Sequence, residues 1–286
     1  MGDLQALLQR DVPALCRALP LDAGEARIEV QMLLRSVLKV SRAWLLAHPE
    51  RELDEAEDAV YRALLQRRLA GEPMAHILGE REFFGLNLKV TPATLIPRPE
   101  TELLVELALE RLPQQNGIHV LDLGTGTGAI ALAIAHARPD VAVVAVDVSA
   151  AALAVARENA QRLELHNVSF QHSDWFSALA GQRFDLIVSN PPYIAEADPH
   201  LKRGDLRFEP LDALASGPDG LDDIRHIVTR ACAHILPSGW LLLEHGYDQA
   251  AAVRRILQQE GYMEVFSAHD LAGIERVSGG GRAGEA

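Results

Sequence analysis

Asn190-Pro191-Pro192-Tyr193 is the segment whose residue types most narrow the chemistry of this chain. Asn190 carries a side-chain carbonyl, and the main-chain carbonyl of Pro191 follows it directly. Both prolines lack an N–H and hold φ near roughly −65°, so the turn is stiff and donates nothing to itself. Two acceptors on a rigid turn, with Tyr193 as an aromatic wall, suit a planar NH2 group. Such a group has two donors to satisfy and a lone pair to aim. Asn-Pro also ends strands where no ligand is bound, so the functional reading depends on a second signature upstream. The run Phe184–Ser189 reads as a buried strand of a parallel sheet. It delivers Asn190 to the carboxyl edge, where open α/β sheets bind ligands.

The upstream signature is an apolar run entering Asp122-Leu123-Gly124-Thr125-Gly126-Thr127-Gly128, with an Ala/Ile/Leu helix from Ala129 onward. Strand, glycine turn and helix make a nucleotide-binding βα unit, in which glycines permit unusual φ values and close backbone approach. A following strand over 141–146 ends in Asp147, whose carboxylate can accept hydrogen bonds from ribose hydroxyls. A glycine turn alone is weak evidence, and Gly124-x-Gly126-x-x-Ala129 also satisfies a dinucleotide pattern. Asp122 weighs against a dinucleotide, since a carboxylate entering the turn repels pyrophosphate but suits the cationic amino group of S-adenosylmethionine. A third strand, Val168–His172, leads to Asp174-Trp175, which could meet an adenine through an acceptor and an apolar contact. A partly buried aromatic is the commoner fate of a lone Trp.

These segments together resemble the class I S-adenosylmethionine-dependent methyltransferases. Among these they are most similar to the release-factor glutamine N5-methyltransferases of the HemK/PrmC type. The order of Leu95-Ile96-Pro97-Arg98-Pro99-Glu100-Thr101-Glu102, the glycine turn and Asn-Pro-Pro-Tyr carries the resemblance. Gly71-Glu72-Pro73, His76-Ile77-Leu78-Gly79, Phe84-Gly85-Leu86, Phe208-Glu209-Pro210, Asp219-Gly220-Leu221, Glu244-His245-Gly246, Asp270, Gly273 and Arg276 add to it. It spans roughly residues 60 to 277.

The resemblance implies an α/β fold: a seven-stranded, Rossmann-like class I sheet with a small N-terminal helical bundle and a β-hairpin linker. It implies methyl transfer from S-adenosylmethionine to N5 of the glutamine in the Gly-Gly-Gln motif of bacterial class I peptide chain release factors. Asn190, Pro191 and Tyr193 then serve catalysis, and Pro192 joins them in holding the substrate. Asp122, Gly124, Thr125, Gly126, Thr127, Gly128, Asp147, Asp174, Trp175 and Asn190 hold the cofactor. Residue chemistry alone reaches an amide or amine N-methyltransferase, so three rivals stay open. One acts on exocyclic amines of adenine or guanine, one is a nicotinamide-linked oxidoreductase, and one is a non-catalytic nucleotide-sensing adaptor.

The elements that must position these residues fall into three stretches. Residues 1–80 read as helices, with Leu4, Leu7 and Leu8, then Ile28, Val30, Met32, Leu33 and Leu34, supplying apolar faces. Asp22 is a candidate cap, and Asp54 precedes a helix carrying Val60, Leu64 and Leu65. This bundle holds no catalytic cluster and is a candidate for gripping a macromolecular substrate. Residues 81–99 read as a β-hairpin linker stiffened by Pro97 and Pro99. In residues 100–286, strands alternate with helices (221–234 and 249–260 late in the chain), a strand is expected over 240–243, and a last hairpin ends near Val277. That alternation argues for a parallel sheet covered on both faces. The glycine-rich tail, 278–286, reads as disordered.

Composition sets the outer bounds. The 286 residues are 48% hydrophobic and 23% charged, which suits a globular protein with a sizeable core. The formal net charge of −13 falls almost entirely on the catalytic stretch, since residues 1–99 hold 13 basic and 14 acidic side chains. An acidic catalytic half repels a phosphate backbone and attracts a basic protein loop, so no direct nucleic-acid contact is expected. Cys16 and Cys232 lack metal spacing and read as buried thiols of a reducing compartment. The histidines show no ligand spacing either, and no metal is expected. No signal peptide or membrane-spanning tract is legible, so a cytoplasmic protein is the expectation.

Overall fold

Acidic side chains start the longer helices of the first stretch. Asp3 caps α1 (Leu4–Ala18), while Asp22 with Glu25 and Asp54 with Glu57 form capping boxes on α2 (Ala23–Leu38) and α4 (Glu55–Leu69). The short helices α3 (Arg42–Ala47) and α5 (Met74–Leu78) complete the set. Their shared core contains Leu4, Leu15, Val30, Leu33, Leu34 and Tyr61. The buried Tyr61 hydroxyl donates to Asp11 at 2.7 Å, and Arg10 neutralises that carboxylate. A buried polar group is tolerable only when so paired. The computed structural model describes residues 2–115 and 117–284. Its chain divides into two compact units, 1–79 and 80–286.

The second unit begins with a hairpin, β1 (Glu80–Phe83) and β2 (Leu86–Lys89), closed by Phe84 and Gly85, both at positive φ. Positive φ at both turn positions matches the twist of the flanking strands. The hairpin belongs to the second unit. Asn159 accepts from Lys89 N at 2.7 Å and donates to Lys89 O and Thr127 O, both at 3.0 Å. One buried amide thus fastens the hairpin to the glycine turn.

Helix α6 (Glu102–Arg111) leads into a seven-stranded sheet of order β5-β4-β3-β6-β7-β9-β8. The strands are β3 (His119–Leu123), β4 (Ala142–Asp147), β5 (Val168–His172), β6 (Phe184–Ser189), β7 (Ile235–Glu244), β8 (Met263–His269) and β9 (Glu275–Gly281). β9 runs antiparallel to both neighbours, and the other pairings are parallel. Alternation along each strand feeds two cores. Val120, Leu186, Val188 and Leu242 pack on one face with α6, α7 (Ala129–Ala137) and α8 (Ala150–Arg162). Leu121, Ile187, Leu241 and Leu243 pack on the other with α9 (Asp222–Ala231) and α10 (Ala250–Gln259).

The expectation of a disordered tail is corrected by β9. Ser278 to Gly281 pair with β7, and Arg282 donates to the carbonyls of Cys232 and Ile235. The glycines are there for space. A Cβ on Gly279 would stand 2.6 Å from Leu241 O, and one on Gly280 would stand 2.8 Å from the Tyr262 Cβ. Residues 285 and 286 lie outside the described residues. β7 also starts earlier than expected, at Ile235, because Phe184 pairs with it ahead of the irregularity before Leu186.

Candidate active site

Five parallel strands end at one edge, and the residues at or just beyond the ends of β3, β4, β5 and β6 build the site. Gly124 N and Thr125 N both donate to Val146 O at 2.9 Å, which ties the glycine turn to the end of β4. Asp147 closes the same turn, with Oδ2 accepting from Gly126 N at 2.9 Å and Oδ1 from Ser149 N at 2.8 Å. Gly124, Gly126 and Gly128 have φ of 71°, 56° and 85°, a region open to glycine at little cost. At Gly126 a Cβ would meet no atom within 4 Å, so a side chain there would fill the cavity instead of clashing with protein.

The cavity has a volume of about 480 Å3 and is lined by Gly124, Thr125, Gly126, Thr127, Asp147, Asp174, Trp175, Asn190 and Pro192. Pro97, Arg98, Thr101 and Pro210 also face it. That volume is within the range of small-molecule sites, roughly 300–1,000 Å3. Trp175 adopts φ 46°, unusual for a bulky residue. Ser173 Oγ donates to Trp175 O at 2.7 Å and helps hold this conformation. The indole lies against Gly124, where a Cβ would stand 3.5 Å from the ring. A polar floor of backbone amides and Asp147, an apolar ring and an exposed Asp174 form a donor and acceptor set that fits an amphipathic nucleoside.

A second, smaller cavity of about 50 Å3 shares Leu95, Arg98, Asn190 and Ala213 with the first and adds Pro191 and Tyr193. Asn190 therefore faces both. Its Nδ2 donates to Thr101 Oγ1 at 3.1 Å, which leaves Oδ1 as the other end of the amide. The Tyr193 hydroxyl donates to Glu244 Oε1 at 3.3 Å, and burial pushes its pKa above the usual phenol range. Ser189 Oγ donates to Leu123 O at 2.8 Å and locks the end of β6 to β3.

Two of the expected cofactor ligands, Asp122 and Gly128, line neither cavity. Asp122 is fully buried behind the turn, where Oδ2 accepts from Thr125 Oγ1 at 2.6 Å and Ala131 N at 3.2 Å. Burial pushes its pKa up to about 7 against those two hydrogen bonds. Asp122 thus organises the turn from inside. At Gly128 a Cβ would stand 2.9 Å from Leu132 Cδ1, so this glycine permits close packing. Sequence reasoning gave no site role to Thr101, Asn159, Glu209 or Glu244. Glu209 accepts from Ile96 N at 3.0 Å and pairs with Arg98, so it pins the loop after β6 to the cavity wall. Thr101, Glu209 and Glu244 did lie within the motif segments, and that was the available signal. Asn159 had none.

Residues 101–204 match the family model for the methyltransferase small domain, and residues 19–79 match that for the PrmC N-terminal domain. The release factor glutamine methyltransferase of Vibrio cholerae is 54% identical over 252 residues, covering 88% of each chain. That of Bordetella pertussis is 54% identical over 267 residues, covering 93% of this chain and 98% of the relative. Among solved structures, a methyltransferase from Pyrococcus furiosus superposes with a TM-score of 0.54 at 19% identity, covering 76% of this chain and 97% of that one. The sheet is that of the class I methyltransferases.

Proposed function

Because the chain belongs to the release factor glutamine methyltransferase family, we infer that it methylates the side-chain amide nitrogen of the Gly-Gly-Gln glutamine in peptide chain release factors. The observation that carries this reading is Asn190 at the junction of the two cavities, its Nδ2 held by Thr101 and its Oδ1 at the opposite end of the amide. The enzyme depends on S-adenosylmethionine, which supplies an electrophilic methyl group on a sulfonium. Asp147 is suited to the ribose hydroxyls, Asp174 to the adenine amino group and the Trp175 ring to the adenine face. Gly124, Thr125, Gly126 and Thr127 supply the polar floor. Asp122 and Gly128 support that floor from behind.

A glutamine amide is a poor nucleophile, because its nitrogen lone pair is delocalised into the carbonyl. What the protein can contribute is orientation. Asn190 Oδ1 and the Pro191 carbonyl each accept one N–H of the substrate amide, which shifts density onto nitrogen and turns its lone pair. Pro192 keeps the two acceptors in place, and Tyr193 packs on the amide face. These bonds tighten as positive charge develops on nitrogen, so they favour the transition state over the ground state. The amide proton released afterwards is strongly acidic and needs no dedicated base.

No helix among the described residues is long and apolar enough to cross a membrane. A release-factor substrate places the work in the cytoplasm, with protein and not nucleic acid as the partner. Incubation with labelled S-adenosylmethionine and a cell extract tests the reading. Label on a Gly-Gly-Gln peptide is the expected result, and label on RNA or DNA would overturn it.

A further inference from the structure

Asn-Pro-Pro-Tyr is held firmly at its start, where Ser189 ties the end of β6 to β3. Beyond that point it cannot brace itself, because Pro191 and Pro192 have no N–H to give. Its last carbonyl, Tyr193 O, is held from outside by Gln249, whose Nε2 donates to it at 2.9 Å. Gln249 directly precedes α10 and lines neither cavity. The other end of the same amide, Oε1, accepts from Gly246 N at 2.8 Å. A main-chain N–H on one side and a carbonyl on the other leave this amide one orientation. The remaining Nε2 proton has two further carbonyls within reach, Asp219 O at 3.3 Å and Gly220 O at 3.4 Å.

One side chain thus gathers three loops. Two of them, Asp219-Gly220-Leu221 and Glu244-His245-Gly246, are motif segments to which the methyl-transfer chemistry above gives no part. Their glycines leave room for the clasp. Gly220 has φ 75°, and a Cβ there would stand 2.2 Å from Tyr193 O and 2.8 Å from Gln249 Nε2. A Cβ on Gly246 would stand 2.9 Å from Gln249 Oε1.

We propose that Gln249 is a positioning residue of the amide site: it holds the Tyr193 carbonyl, and through it the Pro191 carbonyl that receives a substrate N–H. With φ of Pro192 fixed by its ring, few torsions separate the two carbonyls, so anchoring one restricts the other. The Tyr193 ring is restricted as well, since the anchored carbonyl is its own and Glu244 holds its hydroxyl. Gln249 acts only through the turn. The kinetic consequences rest on the methyl-transfer reading, and the structural ones do not.

The test compares full-length wild type with Gln249→Met, which keeps the length of the side chain and removes both hydrogen-bonding ends. Hydrogen exchange is read without substrate at the amide of Ile194, which donates to Leu214 O just beyond the turn. Exchange there should quicken by about twofold to tenfold, the effect of losing one net hydrogen bond. A rate equal to that of wild type would overturn the proposal, whatever the protein methylates. On the intact release factor, and well below the unfolding midpoint, kcat should fall by about tenfold to a hundredfold, because small misplacements at a reacting centre cost that much. KM and the affinity for S-adenosylmethionine should stay within about threefold. Unchanged kcat, even with a lowered unfolding midpoint, would make Gln249 a structural fastening alone and overturn its positioning role. If wild type methylates no release factor, the functional reading falls, and the exchange rate still decides this one. Should Gln249→Met fail to fold, Gln249→Glu decides. That variant keeps an acceptor for Gly246 N and loses the donor to Tyr193 O, so faster exchange and lower kcat are again expected. Wild-type behaviour in either would overturn the assignment.

Discussion

Asp147 spends one hydrogen bond of each carboxylate oxygen on the protein, to Gly126 N and Ser149 N, and keeps its remaining lone pairs toward the cavity. Asp147→Ala should therefore loosen the glycine turn as well as remove ribose acceptors. Bonds to charged groups contribute roughly 1.5–3 kcal/mol each, so calorimetry should show at least a tenfold weaker affinity for S-adenosylmethionine. An unchanged affinity would remove Asp147 from the site. Asp122 makes a different prediction, because its raised pKa links protonation to folding. The folded state holds this proton up to about pH 7, whereas the unfolded chain releases it near its ordinary value of 3.8. Its contribution to stability is thus fully present below the unfolded pKa and lost as pH rises through the folded one. Asp122→Asn should flatten the decline of stability over that window in denaturant titrations. A slope equal to that of wild type would contradict the burial argument. The place of Asn190 at the carboxyl edge of the sheet was legible from the apolar run before it. Its hydrogen bond to Thr101 was not, since the two stand 89 positions apart and only the fold brings them together.

The elements around the site were legible where pattern and context agreed. The spans of β5 and β6 coincide with their apolar runs, and α7 begins where the glycine turn ends. They failed to be legible where one residue type serves two purposes. Gly279 and Gly280 resemble a flexible tail in composition, yet they are glycines because β9 packs too closely against β7 and Tyr262 for a side chain. The hairpin resembled a linker because its anchor, Asn159, is an isolated polar residue on α8. The loop between β6 and α9 carries three short 3-10 turns and no strand. Its fastening is Glu209, whose side chain is 0% exposed, paired with the partly exposed Arg98. Removing one member of a buried pair costs about 3–5 kcal/mol, and the exposure of Arg98 argues for the lower end. Glu209→Ala should accordingly lower the unfolding midpoint and admit protease between residues 194 and 216. A variant as resistant as wild type would show that the loop is held by other contacts.

At the scale of the whole chain, both cavities are lined by one of the two units. Every motif that faces the cavities lies in 80–286, and the helices of 1–79 have a core of their own. A loop bearing Gly-Gly-Gln offers little area, whereas stable protein recognition generally buries about 1,200–2,000 Å2. Removing 1–79 should therefore raise KM for an intact release factor strongly while leaving the weak activity on a short Gly-Gly-Gln peptide nearly unchanged. A folded truncation that handles the intact factor like the full chain would show that the bundle is not a recognition module. The chain divides where helical periodicity gives way to the alternation of the hairpin. The acidic balance of the catalytic stretch suits a basic protein partner. The central claim is tested most directly by incubating purified protein and release factor with S-adenosylmethionine and locating the methyl group by fragment-ion mass spectrometry. The account predicts one methyl on the side-chain nitrogen of the Gly-Gly-Gln glutamine, with turnover lowered by about 10²–10³ in Asn190→Ala. A methyl on any other residue, or undiminished turnover in Asn190→Ala, would contradict it.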